Sequence, residues 1–349
     1  MQAYSTLRNV ESLGFNAELI DYRYPNKLHS HTTLSIKNSI KHCLGCFAKM
    51  LLPGDPYHTL NRRWDNAFLN YYKLSQKYPT RESLFDDPPV YDIYLVGSDQ
   101  VWNEAFINHD DSFFAAFSPK HAKKIAFGSS FGSLSVSDID FYREQLMTFQ
   151  SIAIRESSGV DLAKRITGRN DIKKVTDPSL MITADEWQKM LHAPNKGKKD
   201  YIFCYGSNAE EYMLHVAKSI AEKNDLDIYR CNGSALDYFN KDVHYILDAG
   251  PLEWLGLINN AALIIACSFH GTAFSLQFNK PFLSIFTGKE QTDSRVSNLL
   301  DEYNLRQNSL TVGNNNIPSL NSISDIDWKS VNNILSVNRQ NSLDTLKKC

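Results

Sequence analysis

Three short stretches of this chain place reactive or ligand-binding side chains directly after an apolar run. The first is Tyr94-Leu95-Val96-Gly97-Ser98-Asp99-Gln100-Val101-Trp102-Asn103. Gly97 allows an unusual backbone angle or a close ligand approach. Ser98, Asp99, Gln100 and Asn103 can orient a polyol, and Trp102 offers an apolar face to a sugar ring. The same Ser and Asp also suit a turn that caps the next helix. The second is Ala261–Cys267 followed by Ser268-Phe269-His270-Gly271-Thr272. An imidazole beside the free N–H groups of a helix start suits an anion, and it can transfer a proton near neutral pH; it can equally serve only its own turn. The third is Ser151-Ile152-Ala153-Ile154-Arg155-Glu156. Arg155 can grip phosphate or carboxylate with two parallel hydrogen bonds, or pair with Glu156 as an ordinary ion pair.

All three lie where a strand should end, and open parallel sheets bind ligands at the carboxyl ends of their strands. Strands are expected at Ile93–Val96, Lys124–Phe127, Ser151–Ile154 and Lys173–Val175, with helices at Val136–Thr148 and Ser158–Ile166. The cycle restarts after Asp177-Pro178. Strands at Tyr201–Tyr205, Asp227–Arg230, Leu263–Ala266 and Pro281–Phe286 then alternate with helices at Ala209–Glu222, Leu252–Asn259, Gly271–Phe278 and Ser294–Leu300. A last helix is expected at Trp328–Leu346. Strand–helix alternation implies βαβ units and parallel sheets. Two series imply an α/β protein of two Rossmann-like domains facing a cleft, residues 1–178 and 179–349. Aromatic and basic residues from about 34 to 85, punctuated by Pro53, Pro56 and Pro79, read as a helical insertion in the first domain.

The chain opens as a helix, with Ala3, Leu7, Val10 and Leu13 at helical spacing and Gly14 as a stop. Ala17–Tyr22 then alternates like a strand. A doubly wound sheet starts with a strand before its first helix, so the expectation is either late translation or a missing first strand.

The 349 residues carry 37 Lys and Arg against 39 Asp and Glu, a formal charge of −2. A nucleic-acid partner is therefore not expected, since phosphate contacts need a basic excess. A spanning helix needs about 20 apolar residues, whereas Ala261–Cys267 is the longest purely apolar run. The absence of a basic-apolar leader argues against secretion by a signal peptide. Cys204, Cys231 and Cys267 in apolar surroundings suit reduced thiols of a cytoplasmic protein. Cys43 and Cys46 form a CxxC without a second pair at zinc spacing. Phosphate-loop, simple dinucleotide, zincin and hydrolase-elbow motifs are absent.

The strings Gly97–Asn103 (GSDQVWN), Ala126–Gly132 (AFGSSFG), Ile154–Glu156 (IRE), Thr176–Leu180 (TDPSL) and Ser268–Thr272 (SFHGT), in this order, resemble the polysaccharide pyruvyl transferase family. The resemblance runs from Gln2-Ala3-Tyr4 to about Arg306. It implies a GT-B-like fold and transfer of a pyruvyl group from phosphoenolpyruvate to two hydroxyls of a sugar. The product would be a ketal in cell-surface glycan assembly, capsule or exopolysaccharide. The acceptor would be a sugar or lipid-linked oligosaccharide, reached by a cytoplasmic protein with peripheral contact at the inner membrane face. Two departures stand out: members usually have a strand ahead of the Gln-Ala-Tyr helix, and many have Arg where Ser268 stands. Lys289 or Arg295 would then supply the missing charge.

On this resemblance Arg155 grips the donor beside His270 and the Gly271 and Thr272 N–H groups. His270 protonates the enol carbon. Asp99 takes the proton of the attacking hydroxyl, with Glu156 as second choice, while Trp102 packs on the acceptor ring, and Ser98, Gln100 and Asn103 bind its hydroxyls. The scheme calls for no metal and no cofactor, phosphoenolpyruvate being a substrate. The competing readings are a glycosyltransferase of the same architecture using a nucleotide sugar and a non-catalytic glycan-binding relative.

Overall fold

A computed structural model describes residues 1–22, 49, 51–97, 99–132, 134–192, 199–231 and 233–349. The motif at Cys43 and Cys46 and the hydroxyl of Ser98 lie outside the described residues. The chain divides into two units: the first holds the described residues of 1–31, 71–182 and 333–349, the second those of 32–70 and 183–332.

Each unit is built on parallel strands. In the second, β7 (Tyr201–Tyr205), β8 (Asp227–Cys231), β9 (His244–Ile246), β10 (Leu263–Ala266), β11 (Phe282–Phe286) and β12 (Ser309–Thr311) form one sheet in the order β12-β11-β10-β7-β8-β9. Counted from β7, this is the doubly wound order 3-2-1-4-5-6. Leu263, Ile264, Ile265 and Ala266 are all buried, as expected of a central strand covered by helices on both faces. One face packs Ile202, Ile228, Ile265 and Ile285 against Met213, Val216 and Ile220 of the helix Glu210–Asn224.

In the first unit, β3 (Ile93–Gly97), β4 (Lys123–Ser129), β5 (Ser151–Ile154) and β6 (Lys173–Lys174) form a four-stranded sheet. A separate parallel pair joins β1 (Leu19–Tyr22) to β2 (Leu74–Tyr78). β2 falls inside the segment read as a helical insertion, whose described helices are Pro56–Tyr71 and the short Arg81–Asp86, which a Thr80–Ser83 capping box starts. Leu74-Ser75-Gln76-Lys77-Tyr78 is mostly polar, and its pairing partner lies more than 50 residues earlier, so local pattern conceals it.

The domain limits differ from those read in the sequence. The helix Pro56–Tyr71 falls almost wholly in the second unit, where Arg63 bonds the Asp248 carbonyl at 2.5 Å and Glu253 at 3.1 Å. Residues 333–349 join the first unit. There the Ser342 hydroxyl accepts the Thr176 N–H at 2.8 Å, and Leu346 packs with Phe127 and Val175. Among the described residues, no helix is long and apolar enough to cross a membrane.

Candidate active site

Two constellations lie at strand ends, one in each unit. In the first, Arg155 follows β5 and Asp99 follows β3. The guanidinium is buried and meets three carboxylates: Nε to Glu156 at 2.6 Å, Nη1 to Asp177 at 2.6 Å and Nη2 to Asp99 at 2.8 Å. Burial works against its charge, and Glu156, Asp177 and Asp99 more than offset that, so its pKa stands above the ordinary arginine value. The carboxylates are themselves tied down. Ser130 Oγ donates to Glu156 at 2.7 Å, and Asp177 accepts from Gln2 Nε2 at 2.7 Å and from the Ser179 N–H at 2.8 Å. Gln2 Oε1 in turn accepts the Asp99 N–H at 2.9 Å.

This geometry corrects the expectation that Arg155 grips the donor. A fully ionised set of one guanidinium and three carboxylates carries net negative charge, which repels a dianion. Arg155 instead positions the Asp99 carboxylate. Glu156 is buried and occupied, which removes it as second choice of base. Asp99 alone among the three is open, its side chain 46% exposed.

The other residues of the first motif also serve the turn. Trp102 is fully buried, so it offers no face to a sugar. Its indole stacks on Phe114, with centroids 5.6 Å apart and planes 2° from parallel, and also meets Phe131 and Phe149. Its Nε1–H donates to the Phe113 carbonyl at 3.1 Å. Asn103 caps the short helix Glu104–Ile107, accepting the Ala105 N–H, while its amide donates to Gln100 Oε1. Trp102→Ala is expected to destabilise the protein by roughly 3–5 kcal/mol, read as a lowered Tm on the order of 10 °C. At temperatures where the variant is folded, acceptor KM should stay unchanged.

In the second unit, β7 and β10 are neighbours whose following helices lie on opposite sides of the strand-order reversal, the switch point where doubly wound sheets take ligands. The loops after them are Gly206-Ser207-Asn208 and Cys267-Ser268. Gly206 has φ +115°, and a Cβ there would sit 2.7 Å from Cys267 Sγ and 3.0 Å from its carbonyl, so only glycine lets the two loops touch. Half-buried His270 is the second residue of the helix Phe269–Gln277, its ring 5.3 Å from that of Phe269.

Ser268 caps that helix by accepting the Gly271 N–H at 3.4 Å, and the Thr272 N–H donates to the Ser268 carbonyl at 3.2 Å. Thr272 is buried, its hydroxyl shared between the Ser268 carbonyl and Ser284 Oγ. Gly271 and Thr272 therefore spend their N–H groups inside the helix cap instead of on an anion. Exposed Lys289 and half-buried Arg295 flank the turn after β11, which Asp293 holds by accepting the Thr287 and Gly288 N–H groups at 3.0 and 2.8 Å.

The sequence reading passed over Arg230. It is buried at the end of β8, donating from Nη2 to the Gly206 carbonyl at 3.0 Å and to Glu210 at 2.8 Å. Among the described residues, its Nε and Nη1 are buried without hydrogen-bond partners. The signal available was a lone cation inside the apolar run Ile228-Tyr229-Arg230-Cys231. Around it Cys204, Cys231 and Cys267 are buried and free, as expected. Burial pushes Cys204 up to about 12 and raises the other two as well. Iodoacetamide at pH 8 is thus expected to leave these three unlabelled in native protein and to label them after unfolding, by peptide mass mapping.

Two units, each built on parallel strands, make this an α/β protein of the GT-B-like class with two Rossmann-like domains. The chain is similar to a UDP-GlcNAc 2-epimerase from Neisseria meningitidis bound to UDP-GlcNAc, with TM-score 0.51 and 10% identity over 100% of this chain and 96% of that one. It is also similar to the epimerase of Methanocaldococcus jannaschii, with TM-score 0.48, 13% identity and 96% and 89% coverage. For E. coli heptosyltransferase WaaC with ADP the values are 0.36, 12%, 85% and 95%. At such identities the likeness to the Neisseria structure is one of fold. No curated protein matches the sequence. The profile of the polysaccharide pyruvyl transferase family matches residues 1–285, and the chain belongs to that family. It is a transferase.

Proposed function

We propose that the protein transfers the pyruvyl group of phosphoenolpyruvate to two hydroxyls of one sugar, releasing phosphate and forming a cyclic ketal for a cell-surface polysaccharide. The observation that carries this reading is His270, placed at the switch point of a doubly wound sheet in a chain of the pyruvyl transferase family. An acid there donates a proton to the methylene carbon of the enol, leaving C2 electron-poor and open to an alcohol. Asp99 takes the proton of the first attacking hydroxyl, and its bond to Arg155 fixes the direction of its lone pairs. The second hydroxyl then attacks C2 as the C2–O bond to phosphate breaks, and its proton leaves with the phosphate as hydrogen phosphate.

With Arg155 committed to carboxylates, the charge for the donor falls to Lys289 and Arg295 after β11, together with the positive end of the Phe269–Gln277 helix. Arg230 holds the Gly206 turn against the switch point. Asp99→Asn keeps a hydrogen-bond acceptor for Arg155 and loses the base. It is expected to lower kcat about a hundredfold or more with KM for phosphoenolpyruvate unchanged, in a continuous phosphate-release assay.

The reading is tested by phosphate release from phosphoenolpyruvate against galactosyl, mannosyl and N-acetylhexosaminyl acceptors. A parallel thermal-shift series compares phosphoenolpyruvate with nucleotide sugars. Stabilisation by a nucleotide sugar alone, with no phosphate released on any acceptor, would favour a glycosyltransferase.

A further inference from the structure

Arg155 and Arg230 are both buried at strand ends, and their donors are satisfied very differently. Arg155 meets a carboxylate at each of its three side-chain nitrogens. Arg230 has partners at one nitrogen. Its Nη2 donates to the Gly206 carbonyl at 3.0 Å and to Glu210 at 2.8 Å. Its Nε and Nη1 are buried with no hydrogen-bond partner among the described residues. Burying a guanidinium is costly unless its donors are matched, so two idle nitrogens point to a partner of another kind.

Both partners of Nη2 belong to the turn that opens the helix Glu210–Asn224, so the guanidinium is aimed at the start of that helix. The helix runs 15 residues and has no side-chain cap, since Ala209 at its N-cap has no acceptor to offer. Ser268, by contrast, caps the helix Phe269–Gln277. The first N–H groups of Glu210–Asn224 thus lack a side-chain acceptor at the positive end of the helix dipole. Such N–H groups beside a guanidinium match the oxygens of a phosphate. Exposed Ser207 and Asn208 lead into this place from solvent. Gly206 packs against Cys267, so the place borders the loop that leads to His270.

Glu210 is the carboxylate on Arg230, and its side chain is 44% exposed. It reaches only Nη2, and a pair so open to water contributes little. We propose that the start of the helix Glu210–Asn224 is a phosphate-binding subsite, in which Arg230 and the first helical N–H groups hold a phosphate group that displaces the Glu210 carboxylate. With the carboxylate swung into solvent, one phosphate oxygen takes its place on Nη2 and a second reaches the neighbouring Nε. The phosphate of phosphoenolpyruvate and that of a glycosyl phosphate offer the same chemistry. The subsite is read by binding alone, so its failure and the failure of pyruvyl transfer are separate results.

The test titrates the full chain with inorganic phosphate by calorimetry at low ionic strength, beside the variants Glu210→Gln, Glu211→Gln and Arg230→Met. Glu211 is exposed on the same helical turn and controls for the general effect of removing a negative charge. Glu210→Gln is expected to bind phosphate about fivefold more tightly than the parent, and Glu211→Gln to differ by less than about twofold. Arg230→Met is expected to weaken binding about tenfold or more. Equal tightening in the two glutamine variants, no tightening in Glu210→Gln, or phosphate binding at parent strength in a folded Arg230→Met overturns the proposal. If Arg230→Met fails to fold, the comparison of the two glutamine variants decides alone. Repeating the titrations with phosphoenolpyruvate and with glucose 1-phosphate identifies the source. Tightening by Glu210→Gln for the first assigns the subsite to the donor, and for the second to a phosphate carried by the acceptor. Tightening for neither overturns a role in substrate binding.

Discussion

Replacing Arg155 with alanine is expected to destabilise the first unit by roughly 3–5 kcal/mol, because it leaves the carboxylates of Glu156 and Asp177 buried without their cation. Calorimetry should show a Tm lowered on the order of 10 °C. Below that transition, kcat should fall as Asp99 loses its anchor, while KM for phosphoenolpyruvate stays near its original value. Arg155→Lys should recover only part of the stability, since an ammonium cannot reach three carboxylates with a fixed fork of donors. An alanine variant with unchanged Tm and a KM for phosphoenolpyruvate raised tenfold or more would return Arg155 to the donor.

His270→Ala should do the opposite. The imidazole is half-buried on the first turn of its helix, and the cap that starts that turn belongs to Ser268. Its removal is expected to shift Tm by only a few degrees while lowering kcat by about 10²–10⁴. A general acid must hold its proton, so parent activity should fall as pH rises through its titration. That alkaline limb should be absent from the residual activity of the variant. Tm and a pH–rate profile on one preparation read both effects. A variant retaining near-normal turnover removes His270 from the chemistry.

The contrast between these residues shows what was legible beforehand. Ser151–Ile154, Tyr201–Tyr205 and Leu263–Ala266 were expected with the ends observed, because continuous apolar runs bounded by turns identify buried parallel strands. The position of His270 after such a run followed from the same pattern. β2, β9 and β12 went unseen: they are three to five residues long and gain their pairing from strands distant in sequence. The environment of Arg155 was equally hidden, since Asp99 precedes it by 56 residues and Asp177 follows by 22. A guanidinium at a strand exit looks the same in sequence whether it faces an anion or three carboxylates. Trp102 misled for the same reason: Phe114, Phe131 and Phe149 cover it from separate turns.

The most direct measurement incubates the purified protein with phosphoenolpyruvate labelled with carbon-13 in its three carbons and a panel of sugar acceptors, following released phosphate and acceptor mass together. One equivalent of phosphate per acceptor that gains the labelled three-carbon unit, with fragmentation placing it across two hydroxyls of one ring, is the expected result. Labelled acceptor should not form with His270→Ala. Phosphate release without label on any acceptor, or label retained at the parent rate in that variant, would contradict pyruvyl transfer through His270.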